Sequence, residues 1–299
     1  MLTLNFNMAE TLAIAIIVLL LGREVKKRVA FLERFFIPAP VVGGVIFSIL
    51  LLIGHNTGAF SFNFDGVLKD FLMLIFFTTI GFTASGKLLK KGGVGVAIFL
   101  VTATVLVVIQ DIVGVALAKV FGLNPLLGLA VGSIPLTGGH GTSGAFGATG
   151  GLSVSIAAAT YGLIAGCLIG GPIAKRLKEK YNLKPNLEEA GMSIEELEDE
   201  TTKPVSESTL FDAVVVISLA MGIGYWIAPF LKTYGIVIPA YIGPMFIAAI
   251  IRNIADIQKK VLPMKEISIT GNIALSLFLA MALMTLKLWE LAALAIPII

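Results

Sequence analysis

A glycine-rich stretch between two strongly apolar segments places the tightest limit on how this chain can fold. Eight of the twenty residues from Gly132 to Gly151 are glycine, five carry a hydroxyl group, and none is charged. In a helix interior each glycine costs about 1 kcal/mol relative to alanine and a proline such as Pro135 costs about 3 kcal/mol, so a good continuous helix is not expected. Irregular backbone at membrane depth persists only where protein buries it or where it lines a wet cavity. The stretch therefore predicts a re-entrant loop over about residues 123–151, beside a polar cavity that can hold a solute.

The composition of the whole chain is that of a membrane protein. Hydrophobic residues make up 57% of it and charged residues 14%, and the mean hydropathy is +0.96, whereas a soluble domain is about half apolar and a quarter charged. A net charge of +3 is too small to indicate a nucleic-acid partner, and the single cysteine excludes an intramolecular disulfide framework. The predicted fold class is an all-α polytopic membrane protein.

Hydropathy and charge together predict the spans and their orientation. Lysine and arginine concentrate after the first, third, fifth and seventh apolar runs, and such clusters mark cytoplasmic loops. This places the N-terminus outside, the hydrophilic linker over residues 175–208 in the cytoplasm, and the entrance of the glycine-rich stretch on the outer side. The predicted spans are residues 4–22, 37–54, 70–86, 93–121, 153–174, 210–231, 236–251 and 273–288, and the chain ends within the start of a further apolar run.

An internal repeat divides the chain into two membrane halves. IPAPVVGGVIFSILL from Ile37 parallels IPAYIGPMFIAAII from Ile238, and the segment from Phe71 is loosely similar to the segment from Ala274, at separations of 201 (37 to 238) and 203 (71 to 274) residues. The halves begin on opposite sides of the membrane, so the repeats are inverted, which is typical of secondary transporters. We expect a first repeat over residues 1–174 with five helices and the re-entrant loop, the linker 175–208, and an incomplete second repeat over 209–299 with three helices and the start of a fourth.

Three segments resemble the bacterial sodium/glutamate symporter family: GSIPLTGGHGTSGAFG, IPAPVVGG and GNIALSLFLAMALMTLKLWEL. The resemblance covers essentially the whole chain and implies two inverted five-helix domains, two opposed re-entrant loops and a cytoplasmic central loop. It further implies a homodimer in the bacterial cytoplasmic (inner) membrane that takes up glutamate with sodium by alternating access, with sodium as a co-transported ion and no cofactor. Family members carry the second re-entrant loop in about their last hundred residues, so this chain is expected to be truncated at its C-terminal end.

The residue types of the glycine-rich stretch suit both solutes. Free backbone N–H groups at Gly138, Gly139 and Gly141 can hold a substrate carboxylate, as helix N-termini and backbone nests do. Hydroxyl groups and unwound carbonyls can supply the oxygen ligands that sodium prefers. We expect His140 to be structural or to orient neighbours, with donation of a hydrogen bond or carriage of a proton as alternatives. Close helix packing through small residues is the alternative for the whole stretch. The predicted substrate-binding residues are Gly138, Gly139, His140, Gly141, Thr142 and Ser143.

Four polar residues in apolar helices complete the predicted sodium site. Asp111 and Lys119 are the only charged residues between Gly92 and Ala174, and a carboxylate at mid-membrane costs at least about 2.5 kcal/mol. Asp111 is therefore predicted to bind sodium or to act as a counter-charge, with a protonated or Gln110-paired contact facing another helix as the alternative. Thr78 and Thr79 are the other two candidates. The alternative for them is that each hydroxyl bonds back to its own helix, as is common for threonines in helices. The predicted sodium-binding residues are Ser133, Thr137, Gln110, Asp111, Thr78 and Thr79.

Other functions remain open at this point. The nearest is a sodium-coupled symporter for di- or tricarboxylates. An intramembrane enzyme using His140 and Asp111 is a different class, but the sequence has neither an HExxH metal pair nor a GxSxG elbow. A channel with the glycine-rich stretch as its filter is a third. The repeat and the single cytoplasmic linker favour a transporter and not an enzyme.

Overall fold

The computed structural model describes residues 2–34, 37–139, 142–143, 152–182, 204–236 and 238–289. Contacts between Cα atoms divide the chain into two compact units. Unit 1 comprises Met1–Asp70, Ala103–Asn182 and Ser276–Ile299, and unit 2 comprises Phe71–Thr102 and Leu183–Leu275. Most of the predicted linker (183–203) and the predicted start of a further helix (290–299) lie outside the described residues.

The described part is mostly helical, which confirms a helical membrane protein. The prediction of an all-α chain is wrong in one respect, because two short strands are also present. The elements in chain order are β1 (Leu2–Phe6), α1 (Met8–Arg28), α2 (Ala30–Arg34), α3 (Ala39–Asn56), β2 (Phe60–Phe64), α4 (Val67–Thr83), α5 (Gly86–Val120), α6 (Pro125–Val131), α7 (Ser133–Leu136), α8 (Leu152–Lys180), α9 (Glu207–Gly224), α10 (Ile227–Lys232), α11 (Ile242–Ile257) and α12 (Met264–Met284).

The two strands form a parallel pair next to the ends of helices α1 and α3. Leu2 pairs with Phe60 and Phe6 with Phe64. The sequence FSFNF alternates aromatic and polar residues with the period of a strand, and the Phe6 and Phe62 rings meet edge to face with centroids 5.3 Å apart. The strands therefore fix the start of α1 against the segment that follows α3.

Four helical segments of the described residues are long and apolar enough to cross a membrane: Ala39–Asn56, Gly93–Val120, Glu207–Lys232 and Met264–Met284. The other predicted spans correspond to shorter or more charged helices, such as α4 with 17 residues and α11 with 16. Helix α5 is kinked at Gly93, whose φ of 50° favours glycine. Beyond the kink its large side chains are exposed, with Phe99 and Val120 at 74% and 78%, as expected for a helix surrounded by lipid.

Each unit contains a pair of helices that cross at two glycines. In unit 1, α1 and α3 meet at Gly22 and Gly43, and a Cβ on Gly22 would lie 2.7 Å from the Gly43 nitrogen. In unit 2, α9 and α11 meet at Gly224 and Gly243, and a Cβ on Gly224 would lie 2.5 Å from the Gly243 carbonyl carbon. Small residues allow such close backbone approach. The equivalent positions are 202 (22 to 224) and 200 (43 to 243) residues apart, which is close to the spacing of the sequence repeat.

A second recurring contact shows that each unit combines helices from both halves of the chain. In unit 1, Gly44 of α3 packs directly against Leu283 of α12. In unit 2, Gly81 of α4 packs directly against the backbone of Met245 in α11. These contacts are related by shifts of 201 (44 to 245) and 202 (81 to 283) residues. The compact units therefore do not coincide with the two sequence halves, since α3 packs on a helix of the second half and α11 on a helix of the first.

Each unit has its own apolar core. In unit 1 the core joins α3, α8 and the end of α12, and in unit 2 it joins α4, α9, α11 and the start of α12. The buried core residues are Ile37, Val41, Val42, Ile156, Leu283 and Leu286 in unit 1, and Phe82, Ala213, Ile217, Ala220, Ala248 and Ile267 in unit 2.

Candidate functional site

The segment predicted to be re-entrant, residues 123–151, begins with a broken helix in unit 1. Helix α6 begins with a cap from Asn124, whose side-chain oxygen accepts the Leu126 N–H at 3.0 Å. It ends at Gly132, which has φ −83° and ψ −124°, and α7 follows for only four residues. Beginning a new helix at Ser133 leaves its N–H without an intrahelical acceptor. The break thus creates a polar backbone group next to apolar helices.

Two facing glycines bring α5 against this break. Gly114 of α5 and Gly128 of α6 pack backbone to backbone, and a Cβ on Gly114 would lie 3.0 Å from the carbonyl carbon of Gly128. Residues three and four positions apart share a helix face, so Gln110 and Asp111 lie one turn from this contact. Close helix packing through small residues, which was the alternative role for the glycine-rich stretch, is therefore observed just before the stretch begins.

The structure brings the two polar outliers of α5 onto the broken helix. The Ser133 N–H donates to Asp111 Oδ1 at 3.1 Å, and both groups are partly buried. The Thr137 hydroxyl donates to Gln110 Oε1 at 2.6 Å. Four residues of the predicted sodium site therefore meet in one place. Asp111 is not paired with Gln110, which was the alternative interpretation of these neighbours.

Oxygen atoms converge where Gly132 lacks a side chain. A Cβ at Gly132 would lie 2.9 Å from the Gly128 carbonyl oxygen, 3.2 Å from Asp111 Oδ1 and 3.2 Å from the Gln110 carbonyl oxygen. We call these three atoms the Gly132 oxygen cluster. Of the two carbonyls, that of Gly128 lies in the last turn of α6 before the break, and transporters coordinate sodium with carbonyls at such places.

The predicted substrate residues are only partly described. The Gly138 N–H donates to the Ser133 carbonyl at 3.2 Å, so the expectation of a free N–H at Gly138 is wrong, because residues 133–138 close a helical turn. The Thr142 hydroxyl donates to the Gly138 carbonyl at 2.8 Å. Gly139 has a φ of 69°, a conformation that favours glycine. His140 and Gly141 lie outside the described residues.

Ser155 is a polar residue at this site that the sequence analysis missed. The hydroxyl of Ser143, a predicted substrate residue that is fully buried, donates to the Ser155 carbonyl at 3.2 Å. The Ser155 side chain is 1% exposed, and its Oγ is the one buried side-chain nitrogen or oxygen atom of the described residues that has no hydrogen-bond partner. The only indication in the sequence is the serine itself, within the first turns of α8, and a single serine does not stand out in an apolar span.

Thr78 and Thr79 belong to unit 2, whereas the other predicted sodium ligands belong to unit 1. Both are buried, and their hydroxyls donate to the carbonyls of Leu74 and Phe76, each at 2.7 Å. Both hydroxyls thus bond back to their own helix, which was the alternative to sodium binding. Thr79 also packs on Gly271 of α12. Their binding of sodium stays a prediction.

Unit 2 contains one buried and one partly buried acidic residue that the sequence analysis did not single out. Glu266 is 6% exposed and accepts a hydrogen bond from the Thr209 hydroxyl at 2.7 Å. Asp256 accepts from the Ser85 hydroxyl at 2.6 Å and forms an ion pair with Arg252 at 3.2 Å. These contacts connect the start of α12 to α9, and α11 to the segment between α4 and α5.

Comparison with known proteins identifies the kind of protein that carries this site. Residues 4–299 match the sequence model of a family described as sodium/glutamate symporter. Over 307 aligned positions the chain is 39% identical to the sodium/glutamate symporter of Haemophilus influenzae, covering 99% of this chain and 76% of that protein. Over 309 positions it is 38% identical to the sodium/glutamate symporter of Escherichia coli, with the same coverage. No solved structure matches the chain.

Proposed function

The chain belongs to the sodium/glutamate symporter family, and from this membership we propose which of its residues hold the two transported solutes. Its function is sodium-coupled transport of glutamate across a membrane, and it is a transporter and not an enzyme. Sodium is the co-transported ion, and the electrochemical gradient of sodium supplies the free energy for moving glutamate.

We propose that sodium binds at the junction of α5 with the broken helix. The observation that carries this assignment is the Asp111 carboxylate, which meets the helix break through the Ser133 N–H. No cationic side chain among the described residues pairs with Asp111, so a sodium ion there would neutralise a charge that is costly at membrane depth. The Gly132 oxygen cluster and the hydroxyls of Ser133 and Thr137 supply further oxygen ligands. Thr78 and Thr79 remain additional candidates in unit 2.

Glutamate binds, in this proposal, along the part of the stretch that follows α7. Gly138, Gly139, His140, Gly141, Thr142 and Ser143 are the candidate residues. The left-handed backbone at Gly139 turns the chain immediately after α7, and turns of this kind can direct backbone N–H groups towards an anion. The Thr142 hydroxyl holds the turn closed through the Gly138 carbonyl.

Alternating access by inverted repeats is the transport mechanism that we propose. The helix contacts that recur at a separation of about 201 residues support an internal repeat, because both the Gly22–Gly43 crossing and the Gly44–Leu283 contact have counterparts in unit 2. A re-entrant path for residues 123–151, a homodimer and a location in the bacterial inner membrane with the N-terminus outside complete the proposal.

The experiment that tests this function is uptake of radiolabelled glutamate into liposomes containing the purified chain. An inward sodium gradient should drive accumulation above equilibrium, an equal potassium gradient should not, and a sodium ionophore should abolish the uptake. Unlabelled di- and tricarboxylates should compete weakly with glutamate. Uptake that ignores the sodium gradient would contradict coupling, and a conductance that does not saturate with glutamate would favour a channel.

A further inference from the structure

The unpartnered hydroxyl of Ser155 requires a ligand that the chain itself does not provide. Buried polar groups nearly always have a hydrogen-bond partner, and an exception calls for an explanation such as a bound ion or water. Ser155 is 1% exposed and lies in the first turns of α8, and its Oγ has no partner among the described residues. Its neighbours along the helix, Val154 and Ile156, are also buried. The hydroxyl is therefore buried although it makes no internal hydrogen bond among the described residues.

A second hydroxyl, that of Ser143, contacts the backbone of Ser155. Ser143 Oγ donates its proton to the Ser155 carbonyl at 3.2 Å, and Ser143 is fully buried. A serine hydroxyl has one proton and two lone pairs. Because the proton is directed to the Ser155 carbonyl, the lone pairs of Ser143 Oγ remain available to a ligand. Both serines belong to unit 1.

From this pair we infer that Ser155 Oγ coordinates a transported sodium ion, with Ser143 Oγ as a second ligand. The inference rests on the proposed function, since it adds a second sodium site to the one proposed at Asp111 and assigns Ser143 to sodium rather than to glutamate. No residue between Leu152 and Ala174 is charged, so this part of α8 offers no basic group for a carboxylate of glutamate. A small cation held by neutral oxygen atoms suits this place, because transporters bind sodium through hydroxyls and carbonyls near helix breaks.

The test compares Ser155→Ala with Ser48→Ala in the full chain. Ser48 is a matched control, because it is also a fully buried helical serine of unit 1 and its hydroxyl is already satisfied by the Val45 carbonyl at 2.9 Å. Ser155→Ala should raise the sodium concentration for half-maximal glutamate uptake by about tenfold, equivalent to about 1.4 kcal/mol. The maximal rate at saturating sodium should be retained. Ser48→Ala should leave the sodium dependence unchanged.

Thermal unfolding gives a reading that does not depend on transport. In sodium-free potassium buffer, Ser155→Ala should be at least as stable as the parent chain, because it removes a buried hydroxyl without a partner. Added sodium should raise the melting temperature of the parent chain and of Ser48→Ala through binding to the folded state. For Ser155→Ala the same rise should require about tenfold more sodium. Ser155→Cys, which keeps the side-chain volume but replaces the hard oxygen with a soft sulfur, should behave like Ser155→Ala.

The outcomes separate this inference from the proposed function. Sodium-coupled uptake with an unchanged sodium midpoint in Ser155→Ala would overturn the inference, leave the symporter function intact and indicate that the hydroxyl holds only a water molecule. A parent chain that shows no sodium-dependent rise in melting temperature would also overturn it. Absence of glutamate uptake by the parent chain would contradict the proposed function, and the melting temperatures would still decide whether Ser155 binds sodium.

Discussion

Asp111 connects the charge of the proposed sodium site to the backbone of the broken helix. Its Oδ1 accepts the N–H of Ser133, the first residue of α7, and lies among the oxygen atoms that converge near Gly132. A hydrogen bond to an ionised acceptor is about twice as strong as a neutral one. The same carboxylate thus fixes the start of α7 and supplies the negative charge that a cation would neutralise.

Replacing Asp111 with asparagine separates these two roles. Asp111→Asn keeps an oxygen that can accept the Ser133 N–H but removes the charge. We expect the sodium concentration for half-maximal uptake to rise at least about tenfold, which corresponds to about 1.4 kcal/mol, with little change in melting temperature in sodium-free buffer. Asp212→Asn, which neutralises an exposed carboxylate on α9, is the control and should change neither property. An unaltered sodium midpoint in Asp111→Asn would remove Asp111 from the sodium site.

At this scale the sequence was informative about residue types and less so about their partners. An isolated carboxylate in an apolar helix is energetically costly at membrane depth. Asp111 could therefore be identified as a candidate from the sequence alone. The hydrogen bond between Thr137 and Gln110 spans 27 positions (110 to 137) and depends on the close approach of Gly114 and Gly128. Ser155 could not be recognised, because only tertiary packing decides whether a helical hydroxyl finds an acceptor.

Helices in both units approach one another at glycines, and these contacts determine which helices pack together. The pair Gly22 and Gly43 in unit 1 has its counterpart in Gly224 and Gly243 in unit 2. Without the hydrophobic effect as a force between spans, packing of small residues is a main source of helix association in membranes. The crossings therefore contribute to stability in a way that side-chain hydrophobicity does not reveal.

Adding one methyl group at either crossing should destabilise the chain. Gly43→Ala and Gly243→Ala each place a Cβ against backbone of the facing helix, and such overpacking costs about 1–3 kcal/mol. Gly222→Ala on α9 is the matched control, since no atom lies within 4 Å of its Cβ position, and it should be neutral or stabilising. Melting temperatures in detergent would measure all three. Equal melting temperatures for Gly43→Ala and Gly222→Ala would contradict the crossing at Gly43.

The elements themselves were predictable to different degrees. Apolar runs predicted the positions of the long helices, because burial in lipid requires about 20 apolar residues. The strands Leu2–Phe6 and Phe60–Phe64 were missed, since each is short and its pairing partner is distant in the sequence. The contact of α3 with α12 was also missed, because a repeat in sequence does not specify whether its helices pack within one half or between halves.

For the whole molecule, the distribution of basic residues predicts which loops face the cytoplasm. Clusters of lysine and arginine lie at the C-terminal ends of α1 and α8 and follow α4 and α11, and short basic loops are retained on the cytoplasmic side. The segment between α3 and β2, residues 57–59, has no basic residue. It is therefore predicted to lie outside, together with the N-terminus.

Labelling of introduced cysteines with a membrane-impermeant maleimide in intact cells tests this orientation. In a Cys167→Ser background, Thr57→Cys should react from outside, because Thr57 follows α3 and is exposed. Lys259→Cys, which lies in the exposed basic segment after α11, should react only after the cells are permeabilised. The reverse pattern would invert the predicted topology, and with it the side from which the glycine-rich stretch enters.

The contact between Gly44 and Leu283 has a consequence for biosynthesis. The two residues are 239 positions apart (44 to 283), and a ribosome adding about 5–20 residues per second needs about 12–48 s to make the intervening chain. During that interval α3 has already emerged, while the residues that complete its core, Leu283 and Leu286, have not been translated. The nascent protein must therefore hold α3 in the bilayer with one face covered by lipid until α12 arrives, and unit 1 can close only late in synthesis.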